Sequence, residues 1–471
     1  MIYLNKKRKR ENGMEQNADN VLQFRKKRAL VLGGGGARGA YEIGVWQALR
    51  EIGWQFDIVT GTSVGAINGA IFATGDFEVA EEVWQTLDTG MVFSVDVDES
   101  LDLKAKTSLI FRSLARDMIK SGGGDGKRLR ALLERYVAEE KVRSSPIEYG
   151  LATVDMKSMK LTELTKDEIP EGKLIDYIMA SASIFPAIKP QKIDSNTYLD
   201  GGILEQMPMD LAMKCGAQDI IAVEICGEGI QHKKPPEDIS VRLVKSRWDL
   251  GSIIVFDKNV VKRNIRLGYL DGLKLFAAYD GLYYSFVKGS LNELFKLRHG
   301  KYNVICDTCA VSPTALYEGF MEKNAHTALR KTIKSRGYSS MKYDAVMLCA
   351  AELCGQIFGL DPTLIYTSES FVERLEEKVI GYSVEIRKIL KKNRENPTPE
   401  TIKQSLSILS KEIRTVVIAR MLTNNLITNK PYSFAPVAAL MPSEYLAALF
   451  IATVINNDVY STKENRIMQG T

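Results

Sequence analysis

A chain of 471 residues is longer than one ordinary domain and can bury a large core, and 45% hydrophobic with 26% charged residues reads as a soluble, globular protein. The formal charge of +5 is nearly balanced, so no nucleic-acid partner is expected. Six cysteines, at positions 215, 226, 306, 309, 349 and 354, are too sparse for a secreted disulfide framework, and a reducing, cytoplasmic compartment is expected.

The positive charge is concentrated at the start: nine basic residues face only Glu11, Glu15 and Asp19 in the first 28 positions. Residues 1–27 are polar with no apolar h-region, which predicts neither a signal peptide nor a membrane span. The arm reads either as a solvated, disordered tail or as a peripheral contact with an anionic membrane surface.

Next, Arg28-Ala29-Leu30-Val31-Leu32 reads as a strand, residues 33–39 as a glycine loop, and residues 40–52 as a helix stopped by Gly53. A loop in this order offers unobstructed backbone N–H groups backed by the positive end of a helix dipole. A phosphate-binding P-loop is excluded, because no Gly-Lys-Ser/Thr follows. Gly34-x-Gly36-x-x-Gly39 fits the dinucleotide pattern, with Asp57 near the distance expected of a ribose-binding acid. Asp57, however, precedes its apolar run, Ile58-Val59, instead of ending it. The preferred reading is an oxyanion hole formed by Gly34, Gly35, Gly36, Ala37, Arg38 and Gly39.

That preference rests on what the second strand runs into. Gly61-Thr62-Ser63-Val64-Gly65 is a Gly-x-Ser-x-Gly motif between an apolar run and a helix-like segment. A strand-to-helix turn this tight leaves no room for side chains two positions either side of the serine, hence Gly61 and Gly65, and it exposes the Ser63 hydroxyl as a nucleophile. The usual histidine base has no clear candidate among His232, His299 and His326, although all three follow Asp200, as an α/β-hydrolase triad would require. A carboxylate is offered by Asp200-Gly201-Gly202 at the end of the strand-like Asn196-Thr197-Tyr198-Leu199. The two glycines would let Asp200 approach another backbone closely, and a partly desolvated carboxylate is a usable base for Ser63.

The glycine loop, the elbow at Ser63 and Asp200-Gly201-Gly202, in this order and spacing, resemble the patatin-like phospholipase family. Ala180-Ser181-Ala182-Ser183-Ile184-Phe185-Pro186 and the stretch from Pro208 to Ala217 agree with it, so the resemblance covers roughly residues 25–230. It implies a three-layer α/β/α fold, a Ser-Asp dyad without histidine, and hydrolysis of lipid acyl esters. Ser63 would be the nucleophile, Asp200 the base and the 34–39 amides the oxyanion hole; no metal or organic cofactor is implied. An acyltransferase, or a non-catalytic lipid- or dinucleotide-binding protein, are the alternatives. Gln206 departs from the asparagine often found in the family and bears on how Asp200 is positioned.

From residue 231 the pattern changes, beginning with the charged, proline-bearing stretch 231–238, and a mainly α-helical domain is expected over 231–471 after a catalytic domain over 28–230. Ile402, Leu406, Leu409, Ile413 and Val416 recur at helical spacing after Thr398-Pro399, and Phe371, Leu375, Val379 and Leu390 suggest another helix. The apolar run 445–455 is too short to cross a bilayer, which needs about twenty residues. Cys306-Asp307-Thr308-Cys309 with Cys349 and Cys354 departs from zinc-ribbon spacing and reads as buried free thiols.

Overall fold

Alternation along the first strand decides the layering. In β1 (Arg28–Leu32), Leu30 and Leu32 enter one hydrophobic cluster while Ala29 and Val31 enter another, so both faces of the strand are buried. The computed structural model describes residues 25–93, 95, 98, 100–225, 235–309, 311–314, 319–382, 408–428 and 433–455. They fall into two units, residues 1–276 and 277–471.

In the first unit β1 pairs in parallel with β2 (Ile58–Thr62) and, on its other edge, with β7 (Asp219–Glu224). β3 (Glu148–Asp155) continues the parallel set beside β2, and β8 (Ser240–Lys245) continues it beside β7. β4 (Lys160–Thr165) and β6 (Asn196–Asp200) pair antiparallel with β3, and β5 (Gln191–Ile193) closes the edge, giving the order β5-β6-β3-β2-β1-β7-β8 with β4 off this path.

The first cluster is built from α1 (Ala40–Ile52), α2 (Val64–Thr74) and α3 (Phe77–Thr86). It is extended by α4 (Leu103–Ser121), α5 (Lys127–Tyr136) and α6 (Leu174–Ser181). On the other face α7 (Met209–Lys214) packs Ala212, with Met207 and Ala217, onto Ala29, Val31, Ile220 and Ala222. This is the expected three-layer α/β/α arrangement.

The boundary differs from the one read in the sequence. Residues 235–276 stay with the first unit, because β8 extends the sheet and α8 (Lys258–Leu275) lies along α1. The backbones of α1 and α8 touch: a Cβ at Gly44 would fall 1.8 Å from the Ile265 carbonyl oxygen, and one at Gly268 would fall 1.9 Å from that of Tyr41. The Tyr41 hydroxyl donates to Asp271 at 2.6 Å and the Tyr269 hydroxyl to Glu51 at 2.7 Å. The charged 231–238 stretch that suggested a domain boundary connects two neighbouring strands of one sheet.

The second unit is mainly helical, with a small sheet of β9 (Tyr279–Asp280), β10 (Ser285–Val287) and β11 (Ile365–Tyr366). Its helices include α9 (Ser290–Cys309), α10 (Phe320–Ser335), α11 (Tyr343–Ile357), α12 (Ser368–Gly381), α13 (Lys411–Thr428) and α14 (Pro442–Val454). Phe371, Leu375 and Val379 are buried on α12, and Ile413 and Val416 on α13; Leu390, Ile402 and Leu406 lie outside the described residues. Helix α14 is buried from Glu444 to Val454. Among the described residues no helix is long and apolar enough to cross a membrane. Cys306, Cys309, Cys349 and Cys354 are buried, and burial pushes the Cys306 and Cys349 thiols up to about 12.

Two glycine substitutions should separate propensity from packing. Alanine is the better helix former by about 1 kcal/mol, and Gly300 on α9 has nothing within 4 Å of a built Cβ, so Gly300→Ala should raise the unfolding temperature. At Gly268 the same methyl meets the Tyr41 carbonyl. Overpacking there should cost about 1–3 kcal/mol, and thermal unfolding of the two variants should move in opposite directions.

Candidate active site

Strand β2 ends at Thr62 and α2 begins at Val64, leaving Ser63 alone at the turn with φ 56° and ψ −123°. A non-glycine residue held so costs about 1–3 kcal/mol and persists only where neighbours fix it. They do: the Ser63 N–H donates to Ser181 Oγ at 2.9 Å, and the Ser181 hydroxyl donates to the Ala152 carbonyl at 2.7 Å. The flanking glycines are needed because three backbones stack here. A Cβ on Gly61 would sit 2.1 Å from the Gly65 carbonyl oxygen, and one on Gly65 would sit 2.5 Å from that of Leu32. Ser181 lies in the segment 180–186, whose sequence alone assigns it no role. A buried serine among small residues gives no local sign that it anchors a turn 118 positions away.

The acid arrives by strand register. Thr62, the last residue of β2, pairs with Ala152 of β3, and the next residue of β3, Thr153, pairs with Asp200 at the end of β6. Ser63 and Asp200 therefore meet over one point of β3, and the Ser63 hydroxyl donates to Asp200 Oδ2 at 2.7 Å. Oδ1 accepts the Gly202 N–H at 2.7 Å. The turn presses directly onto β3, since a Cβ on Gly201 would lie 2.2 Å from the Ala152 carbonyl oxygen. Asp200 is 4% exposed, and this burial pushes its carboxyl up to about 6 against the opposing pull of its bonds from Ser63 and Gly202. The Gln206 side chain reaches the turn, its Nε2 donating to the Gly202 carbonyl at 2.6 Å, while the Gln206 backbone carbonyl accepts the Gly34 N–H at 3.1 Å.

The glycine loop is narrower as a donor set than the six residues read from the sequence. The Gly34, Ala37 and Arg38 amides are committed to the carbonyls of Gln206, Ile253 and Gly35, and the Gly39 carbonyl accepts from Asn68. Gly34, Gly35 and Gly36 line the same cavity as Ser63 and Asp200, whereas Ala37, Arg38 and Gly39 do not. The Gly35 and Gly36 amides have no partner among the described residues. Gly36 adopts φ 54°, and a Cβ there would lie 2.0 Å from the Ile253 carbonyl oxygen, so only glycine fits. The Arg38 side chain turns away, donating from Nε to the Gly251 carbonyl at 2.8 Å.

The cavity measures about 590 Å³ and its walls are mostly apolar, among them Ile67, Ile71, Leu87, Phe93, Leu133 and Phe256. Among the described residues no histidine lines it; His232 lies outside them, and His299 and His326 belong to the second unit. Asp57 sits at the opposite end of the strands from the glycine loop, where it accepts the Arg28 N–H at 2.9 Å and pairs with Arg25. It is therefore out of place as a ribose acid.

Beneath the loop lies a buried polar cluster that periodicity alone did not reveal. Asn68 Nδ2 donates to the Gly39 carbonyl at 3.1 Å and to Glu42 Oε2 at 2.7 Å, and Trp84 Nε1 donates to Asn68 Oδ1 at 2.9 Å. Full burial drives the Glu42 carboxyl well above the usual range, which favours its neutral form. Asn68→Ala would strand the Trp84 donor and the Gly39 acceptor, at about 1–3 kcal/mol for each buried group left unpaired. Chemical unfolding should register that loss, and Glu42→Gln, which keeps the shape, should lose much less.

A family model described as Patatin-like phospholipase matches residues 30–213. Patatin-like phospholipase domain-containing protein 7 of Rattus norvegicus is 26% identical over 288 residues, covering 59% of this chain and 20% of that protein. Patatin-like phospholipase domain-containing protein ZK370.4 of Caenorhabditis elegans is 32% identical over 201 residues, covering 42% of this chain and 13% of the relative. The chain thus spans a fifth or less of the length of these relatives. Among solved structures, VipD from Legionella pneumophila aligns over 92% of each chain at 12% identity with a TM-score of 0.30. Residues 30–213, which hold both Ser63 and Asp200, are thus similar to the patatin-like phospholipase family.

Proposed function

We propose that this chain is a serine hydrolase of lipid acyl esters that works through a Ser63–Asp200 dyad. The observation that carries this reading is the 2.7 Å hydrogen bond from Ser63 to a buried carboxylate on the wall of a large apolar cavity. Asp200 takes the Ser63 proton as Oγ attacks the ester carbonyl carbon, and the new C–O bond leaves negative charge on the former carbonyl oxygen. The Gly35 and Gly36 amides, without a partner among the described residues, are the donors for that oxyanion. Collapse expels the alcohol, which takes the proton from Asp200 and leaves an acyl-Ser63 ester. Asp200 then deprotonates a water that attacks this ester, and Ser63 is regenerated.

A dyad has no redundancy. Ser63→Ala and Asp200→Asn should each lower turnover on the order of a thousandfold or more, with the double variant hardly worse, because residues acting as one unit are not additive. Asp200→Asn retaining more than about a tenth of turnover while folded would contradict the assignment. Replacing His232, His299 and His326 together should change turnover by no more than a few-fold. A collapse of activity there would point to a histidine base.

Protonation sets the pH profile. Asp200 serves as a base only when ionised, and its carboxyl titrates near 6, so kcat/KM should rise as pH increases through about 6 and level off above it. A profile already flat down to pH 4 would mean that the titrating group is not this buried acid.

Apolar walls predict chain-length selectivity. Each methylene moved from water into the cavity contributes about 0.8 kcal/mol, roughly fourfold in kcat/KM. Across a series of p-nitrophenyl esters the constant should climb with acyl length until the 590 Å³ is filled, and a series favouring acetate would exclude a lipid acyl chain as the occupant.

A further inference from the structure

The inner face of α4 is fully used. Lys106, Ile110 and Leu114, spaced by four, are buried, with Lys106 paired to Asp257 at 3.0 Å. The outer face nevertheless carries large apolar side chains: Phe111 is 61% exposed, Met118 49% and Ile119 87%. Beside this stripe run Arg112, Arg116 and Lys120, also spaced by four and all exposed. An apolar stripe flanked by a cationic one has no packing role among the described residues, and it is the pattern of a helix lying in a membrane interface.

The helix ends at the mouth of the cavity. After Ser121 the chain passes through Gly123 and Gly124, where the Gly124 N–H donates to the Pro186 carbonyl at 3.1 Å and its carbonyl accepts the Lys189 N–H at 2.9 Å. The two residues before Pro186, Ile184 and Phe185, line the cavity and are 39% and 46% exposed. Met156 and Ile203 likewise line it while remaining about half exposed. Four apolar side chains thus form a rim that faces both the cavity and solvent.

We propose that the outer face of α4 and this rim dock on an anionic lipid bilayer, bringing the cavity mouth to the layer from which an acyl chain would enter; the inference rests on the lipid-ester reading above. Charge selects the occupant. The cationic stripe fits anionic headgroups and opposes the other basic segment of the chain, Lys6 to Arg10, as a cover.

The test uses the full chain with Ser63→Ala, sedimented with vesicles of phosphatidylcholine alone or with about one third phosphatidylglycerol. The anionic vesicles should bind it more tightly, and added salt should weaken that binding. Arg112→Gln, Arg116→Gln and Lys120→Gln together should reduce affinity for anionic vesicles on the order of a hundredfold. Phe111→Ser with Ile119→Ser should reduce binding to both vesicles by tenfold or more. None of these residues lines the cavity, so in the Ser63 background hydrolysis of a soluble short-chain ester should be unchanged while hydrolysis of vesicle lipid falls. Vesicle affinities within twofold of the parent for both variants would overturn the docking face. So would a parent chain whose self-association is abolished by Ile119→Ser with vesicle binding intact, which would make the face a contact between copies. The two readings fail separately: α4-dependent binding without hydrolysis of any ester upholds the docking face and sinks the hydrolase, and soluble-ester hydrolysis with α4-independent binding does the reverse.

Discussion

One register of strand pairing controls everything at the site. Strand β3 is longer than β2, so β2 occupies the first part of its edge and the end of β6 occupies the next. The changeover falls between Ala152 and Thr153, and two segments more than 130 residues apart in sequence deliver Ser63 and Asp200 to adjoining positions. A slip of one residue would turn every side chain of the slipped strand to the opposite face. Ala152 is the pivot. Its carbonyl accepts the Ser181 hydroxyl that holds the Ser63 amide, and the absence of a side chain at Gly201 lets the acid's turn close against that same carbonyl.

This explains which features were legible. The elbow and the Asp-Gly-Gly turn announce themselves because each needs glycine at fixed offsets, and an offset survives in a single sequence. The strands around them read correctly because short apolar runs end in those glycines. Ser181, Asn68 and Glu42 carry no such mark, since their partners are set by tertiary register and a lone polar residue in an apolar helix looks the same whether or not it supports a loop. The glycine loop falls between: its glycines are plain in the sequence, but which amides remain open depends on what Gln206 and Ile253 take up.

The extent of the first unit is less legible for a related reason. A charged, proline-bearing stretch and a loss of glycine-rich turns suggest a new domain, yet β8 and α8 complete the first one. What binds α8 is the absence of side chains at Gly44 and Gly268, which lets two helix backbones meet. Helical periodicity records where large apolar residues fall. It is blind to an interface made by leaving them out, and Gly268 and Gly272 within a helical pattern would ordinarily count against the helix.

The site also costs the fold stability, at two neighbouring residues. Ser63 is held at positive φ, and Asp200 is buried so deeply that ionising it at neutral pH costs roughly 3 kcal/mol relative to a solvated carboxylate. The sign follows from the raised value: the native state binds the proton more tightly, so the penalty is complete above pH 6 and vanishes below about pH 4. A strained serine and a destabilised carboxylate share one hydrogen bond, while Ser181 holds the serine backbone and the Gly202 N–H holds the acid. A fold selected for stability alone would remove both, whereas the proposed proton transfer needs the serine exposed at a turn and the acid poised near neutrality. Glu42 below the loop bends the other way: burial raises its carboxyl and so favours the uncharged form, while its Oε2 accepts from Asn68 and secures the loop from beneath.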